Sequence, residues 1–246
     1  MTGADGTMPA TTTTSTTTTS TTTTSTTGTT AAGPVIAIDG PAAAGKGTLA
    51  RRLARALGLP YLDTGLLYRA VGRRVLDSGG DPADPVTAEA AARSLAPSDL
   101  DRADLRGPAA DAAASAVAAV PGVRSALLAF QRDFAEQRGA VLDGRDIGTA
   151  IFPDAPVKLF VTASPTERAQ RRWQELRDRG DDAELAHVEA DMRARDERDT
   201  ARSVAPLRPA DDAVVLDTTD LSADDAYAAA LRAVFDRLPA LAPQYC

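Results

Sequence analysis

The sequence predicts an α/β domain, a parallel β-sheet flanked by helices, and three observations carry that prediction. Short apolar runs alternate with longer segments of helical periodicity, the pattern of strands joined by crossover helices. Aromatic residues make up only 4% of the chain while aliphatic ones are plentiful, so the interior must be Leu, Val, Ile and Ala, as in helix-covered sheets. The first apolar run also passes through a glycine-rich turn directly into a helix-periodic segment, the opening step of an open α/β sheet.

Residues 35–38, set between Gly33-Pro34 and Gly40-Pro41, read as a buried strand. A helix follows over 46–57, with Leu49, Leu53 and Leu57 at helical spacing and Gly58 as its stop. A second helix starts after Asp63-Thr64 and runs to Leu76. Residues 78–119 are rich in Ala, Asp and Pro with weak periodicity, an insert of short helices. Pro121 and Gly139 frame another helix, leading to a strand over 140–142 with Asp143 at its end. Residues 157–161 form the next strand, and Ser164-Pro165-Thr166-Glu167 is a capping box opening an arginine-rich helix that ends near Gly180. A charged helix over 184–198, a strand over 214–216 and a helix capped by Ser222, with Leu231, Val234 and Leu238 on its apolar face, complete the order.

Ahead of this lies a head of different composition. Residues 11–30 hold 16 threonines and three serines and no apolar side chain, so ordering them costs backbone entropy with nothing to offset it. Residues 1–33 are expected to be disordered, with a glycosylated stalk or a mis-assigned start as rival readings. Residues 34–246 are one domain, about the length for a single core with inserted subregions.

Composition narrows the function classes. Lys plus Arg number 27 against 34 acids, a net charge of −7, which argues against a binder relying on broad attraction to nucleic-acid phosphates. Cys246 is the sole cysteine, which removes intramolecular disulfides and cysteine zinc sites. No stretch approaches the ~20 apolar residues of a membrane span, so a cytoplasmic protein without membrane contact is expected. Only Lys46 and Lys158 are lysine, which singles out Lys46 inside its glycine-rich loop.

Four constellations carry chemistry. Gly40-Pro41-Ala42-Ala43-Ala44-Gly45-Lys46-Gly47-Thr48 fits G-x-x-x-x-G-K, a loop whose N–H groups and following helix start cradle phosphates while the lysine reaches the outer ones. Gly47 stands where many ATPases have a magnesium-binding hydroxyl. That shifts attention for the metal to Asp143, which could orient a metal-bound water, with no direct protein ligand expected. The second is Asp63-Thr64-Gly65-Leu66-Leu67-Tyr68-Arg69, a hydroxyl at a helix start with an aromatic and an arginine one turn inside. Third is Asp143-Gly144-Arg145-Asp146, at a strand's carboxyl end where open sheets bind ligands. Last come the arginines Arg168, Arg171, Arg172, Arg195 and Arg202 with Asp199. Because residues 167–202 hold nine arginines but eleven acids, several of these must simply solvate a helix pair. Arg195, Asp199 and Arg202 nevertheless lie 4 and 3 apart, on one helix face.

With IAIDGP, GKGT, LDTGLLYR, DGRDIGT, FPDAPVK and RDERD in this order, the chain from Val35 to about Leu238 resembles the bacterial-type cytidylate kinases. The resemblance implies a P-loop kinase fold with a mobile nucleoside-monophosphate-binding insert over 77–120 and a lid over about 165–200. It implies transfer from ATP, with Mg2+, to CMP or dCMP by a monomer. Carried over by motif, Arg69, Arg145 and Arg202 are expected on the acceptor phosphate, Arg195 and Asp199 on the ribose, and Thr64 and Tyr68 against the sugar. Arg168, Arg171 and Arg172 are the lid arginines, and Ser115, Arg124 and Asp146 the readers of the base. Two departures stand out. Ala43 occupies a position where the family often has glycine, and the insert lacks strand patterning.

Overall fold

The structure, a computed structural model, describes residues 1–3, 33–136 and 138–242. The expected disorder of the head therefore falls almost wholly outside the described residues, as does Cys246.

From Ala32 onward the chain forms one compact unit. Five parallel strands make its sheet: β1 (Val35–Asp39), β2 (Tyr61–Asp63), β3 (Ala140–Asp143), β4 (Val157–Thr162) and β5 (Val214–Asp217), in spatial order β2-β3-β1-β4-β5. The order reverses direction at β1, so β3 and β4 flank it and a crevice opens at the carboxyl ends of β1 and β3. Register places Ile38 opposite Asp143, which brings the glycine-rich loop leaving β1 beside the turn leaving β3.

Helices cover both faces: α1 (Lys46–Leu57), α2 (Thr64–Asp77), α3 (Pro85–Arg93), α4 (Pro108–Val117), α5 (Pro121–Glu136), α6 (Pro165–Asp178), α7 (Leu185–Ala201) and α8 (Ala223–Arg237). Alternation in β1 divides the core. Ile36 and Ile38 face a cluster with Leu49 and Leu53 of α1 and Val234 of α8, whereas Ala37 faces Leu67 and Val71 of α2 and Leu127 of α5. A satellite cluster of Ala169, Leu176, Val188 and Met192 joins α6 to α7, with Ala42 and Ala43 packed against it.

The expected strand–loop–helix holds, with α1 ending at Gly58 in the left-handed region. Four details differ from the sequence expectation. Strand β2 is unannounced, because three residues after Pro60 are too few to show a period. The segment Ile147–Ile151 winds into a single π-helical turn, which its apolar residues do not signal. The capping box of α6 is half made: Ser164 Oγ accepts from the Glu167 N–H at 3.2 Å, but the Glu167 carboxylate turns to Arg171 at 2.8 Å. Helix α7 runs on to Ala201, and Arg202 lies past it with an extended backbone, so Arg202 does not share the α7 face with Arg195 and Asp199. Between Asp77 and Pro121 the described chain contains helices and 3-10 turns and no strand.

A candidate active site at the strand ends

The loop from Gly40 to Thr48 is shaped by close packing. Gly40 has φ 144°, and a Cβ there would stand 1.9 Å from the Val161 carbonyl oxygen, so only glycine lets the loop pass β4. Ala43 has φ 57°, a left-handed conformation that costs a non-glycine residue about 1–2 kcal/mol. Its methyl packs against the α6–α7 cluster, which offsets part of that cost. Lys46 is buried and donates to the Pro41 carbonyl at 2.6 Å, closing the loop across itself. Burial, with Arg145 adding to it, pushes the Lys46 ammonium down to about 7. Thr48 is exposed on the first turn of α1.

Beside this loop, Asp143 ends β3 within reach of Gly47. A Cβ on Gly47 would stand only 3.2 Å from Asp143 Oδ2, so glycine here leaves the carboxylate room. Asp143 Oδ2 accepts from the Tyr61 hydroxyl at 3.0 Å, and burial raises its pKa against the opposing pull of Lys46. The Thr64 hydroxyl donates to the Asp143 carbonyl at 2.8 Å, pinning the start of α2 to the end of β3. One turn on, Arg69 pairs with Asp63, the residue that also caps α2, at 2.9 Å.

Three further groups converge on Asp199 of α7, from the turn after β3, from the residue past α7 and from α4. Arg145 Nε donates to Asp199 Oδ2 at 3.0 Å, and Arg202 pairs with the other oxygen of the same carboxylate. Ser115, on α4, donates to Asp199 Oδ1 at 3.4 Å. These cations win over burial at Asp199, whose pKa is lowered. Also in the cleft, Arg124, on α5, forms a buried ion pair with Asp146, and its guanidinium lies 5.8 Å from the centre of the Tyr68 ring. Burial raises the Asp146 pKa even so, with Arg124 the strongest opposing influence.

Most of these residues, though not Gly40, Pro41, Thr48 or Tyr61, line one cleft, which presents ten cationic side chains and six carboxylates in a protein whose net charge is −7. Positive charge is thus concentrated where anions would bind. No group of three or more His, Cys, Asp or Glu residues suited to a metal occurs among the described residues.

The family model described as cytidylate kinase matches residues 36–235. The chain belongs to the cytidylate kinase family. Relatives bearing that name are 65% identical in Granulibacter bethesdensis, over 83% of this chain and 98% of the relative, and 64% identical in Paramagnetospirillum magneticum, over 80% and 95%. A third, from Acidiphilium cryptum, is 63% identical over 80% of this chain and 92% of its own. As a cytidylate kinase the protein is a phosphotransferase that phosphorylates CMP at the expense of ATP.

Within that kinase framework, the cleft gathers Lys46, Thr64, Tyr68, Arg69, Ser115, Arg124, Arg145, Asp146, Arg172, Arg195, Asp199 and Arg202. Two of the expected arginines do not line it. Arg168 is buried and braces the loop, donating to the Ala163 and Ala42 carbonyls and pairing with Asp196 at 2.6 Å. Arg171 turns away to Glu167 and to the hydroxyl and carbonyl of Thr218.

Two groups escaped the sequence reading. Asp39 accepts from the Ile147 and Gly148 N–H groups at 2.7 and 2.8 Å, tying the start of the loop to the turn that carries Arg145 and Asp146. Burial holds its carboxyl up at about 7. The available signal was a lone acid closing an apolar strand. Asp111, on α4, faces Arg69, Arg172 and Arg195, and nothing in its Ala-rich surroundings marks it.

Proposed function

We propose that the cleft holds the acceptor nucleotide with its base at the Arg124–Asp146 end and its phosphate among Arg69, Arg145 and Arg202, beneath the loop that carries ATP. The observation that carries this is that those three arginines and Lys46 share one cleft with the buried Arg124–Asp146 ion pair. Cytosine offers an N4 amino donor beside the N3 and O2 acceptors, which suit a carboxylate next to an arginine and a hydroxyl. Asp146, Arg124 and Ser115 supply those groups. Uracil would set a carbonyl oxygen against Asp146 and leave buried polar groups unpaired, a mismatch that can discriminate by orders of magnitude. Thr64 and Tyr68 flank the sugar, with Arg195 and Asp199 at its hydroxyls. Both CMP and dCMP are acceptors in this reading.

A CMP phosphate oxygen attacks the γ-phosphorus of ATP in line. The new O–P bond forms as the bond to the bridging oxygen of ADP breaks, and since the attacking oxygen is already an anion no general base is required. Gly40 to Thr48 cradle the donor phosphates, and Lys46 and Arg172 neutralise charge on the moving group. Mg2+ fits this site as an ion held by phosphates and water, with Asp143 orienting one such water in the room left by Gly47, and it would supply further charge neutralisation. Residues 77–120 act as the acceptor-binding insert and residues 165–200 as a lid that excludes water on closing, which brings Arg168 and Arg171 toward the donor. Residues 34–246 work as a monomer in the cytoplasm on small-molecule substrates, without nucleic acid or membrane. Among the described residues no single helix is long and apolar enough to cross a membrane.

An acceptor screen following ADP release tests the assignment. CMP and dCMP should turn over with kcat/KM about a hundredfold or more above UMP and AMP, and only with Mg2+ present. Equal turnover of UMP would remove the base-reading role from Asp146 and Arg124.

A further inference from the structure

Asp111 stands apart from the acids whose roles are accounted for. It enters the cleft from α4 and faces arginines from three other helices: Arg172 of α6 at 2.7 Å, Arg195 of α7 at 3.5 Å and Arg69 of α2 at 3.8 Å. Only the first is within hydrogen-bond distance, so one carboxylate with two oxygens is shared among three guanidinium groups and satisfies one. The remainder shows in the donors: the Nε groups of Arg69 and Arg195 are buried without a hydrogen-bond partner. Buried donors of this kind are rare in folded proteins.

We propose that Asp111 is a built-in counter-anion that competes with the acceptor phosphate for Arg69, while holding Arg172 and Arg195 beside it, and thereby weakens the affinity for CMP. A phosphate dianion carries more charge and more acceptor oxygens than a carboxylate, so it is the stronger partner for the Arg69 guanidinium, which Asp111 faces only at 3.8 Å. Without a carboxylate at that place, the three cations would repel one another. With it, they are held close at the cost of a competition that every incoming phosphate must win. The contact also ties α4 to α6, so release of Arg172 by phosphate couples acceptor binding to the helix that opens the lid region. Asp63 is the nearer partner of Arg69, at 2.9 Å, and Glu175 pairs with Arg172 at 2.8 Å, while among the described residues Arg195 has only Asp111 as an ion-pair partner.

The inference rests on the assignment of Arg69 to the acceptor phosphate, and the test separates the two. In Asp111→Asn, which keeps shape and removes charge, the KM for CMP should fall roughly threefold to tenfold, the range expected for partly exposed pairs. Cytidine, which lacks the phosphate, should keep its inhibition constant as a competitor of CMP. Asp111→Glu, which restores the charge, should return KM toward wild type. Asp111→Ala serves as a second neutral variant, and thermal unfolding confirms that each is folded. A KM for CMP that is unchanged or raised in both neutral variants overturns the proposal, as does a cytidine constant that falls in parallel. Arg69→Ala provides the control on the underlying assignment. If it leaves KM for CMP unchanged the phosphate reading fails, whereas a raised KM beside an unaltered Asp111→Asn removes only the counter-anion.

Discussion

The two ends of the cleft use charge in opposite ways. At the base end, Arg124 and Asp146 form a single matched pair whose side chains are 9% and 6% exposed. At the phosphate end, Lys46 and five arginines outnumber their carboxylates, and the arginines around Asp111 retain 14–19% exposure. A desolvated, matched pair contributes little net charge but makes a wrong hydrogen-bond pattern costly, which is what selection of a base needs. An uncompensated cluster of cations has no such selectivity, yet it stabilises charge moving between two phosphates. Selection and catalysis thus fall to different side chains and should separate under mutation.

Removing charge at the phosphate end has the largest expected effect. Lys46→Met should lower kcat by about a thousandfold while the ratio of kcat/KM for CMP over UMP stays near wild type, as steady-state assays with both acceptors would show. Loss of that ratio together with kcat would mean that the ends are not separate. A second expectation concerns protons. Because burial pushes Lys46 down to about 7, it is mostly neutral at pH 8, and donor phosphates beside it favour the charged form again. ATP binding at pH 8 should therefore take up as much as about one proton, falling toward zero at pH 6 and in Lys46→Met. Calorimetry in buffers of different ionisation enthalpy measures this directly. Ala43→Gly should have the smallest effect, a change in stability below about 1 kcal/mol, because relief of the left-handed strain opposes the lost methyl contact and the added chain entropy. Denaturant unfolding would read it, and the acceptor ratio should not move.

Much of the fold was legible because its signals are local. The apolar run before Gly40, the helical spacing of Leu49, Leu53 and Leu57, and the caps at Ser164 and Ser222 each act within a few residues. Strand β2 and the π-helical turn at Ile147–Ile151 were not legible, since both are fixed by neighbours far along the chain. Positive φ at Ala43 could be anticipated from the loop pattern, while the alanine's contact with the α6–α7 cluster could not. The site divides in the same way. Lys46, Arg69 and Asp143-Gly144-Arg145-Asp146 sit in contiguous motifs. Asp39 and Asp111 acquire partners only when separate elements meet, and Arg168 and Arg171 have neighbours that helical spacing cannot foresee.

The most direct test of the division is Asp146→Asn. An amide can donate as well as accept, so it can face the uracil carbonyl where a carboxylate cannot. Wild-type enzyme should prefer CMP to UMP in kcat/KM by about a hundredfold or more, and the variant by less than about tenfold, with the KM for ATP unchanged. A variant that keeps the wild-type preference would contradict the account.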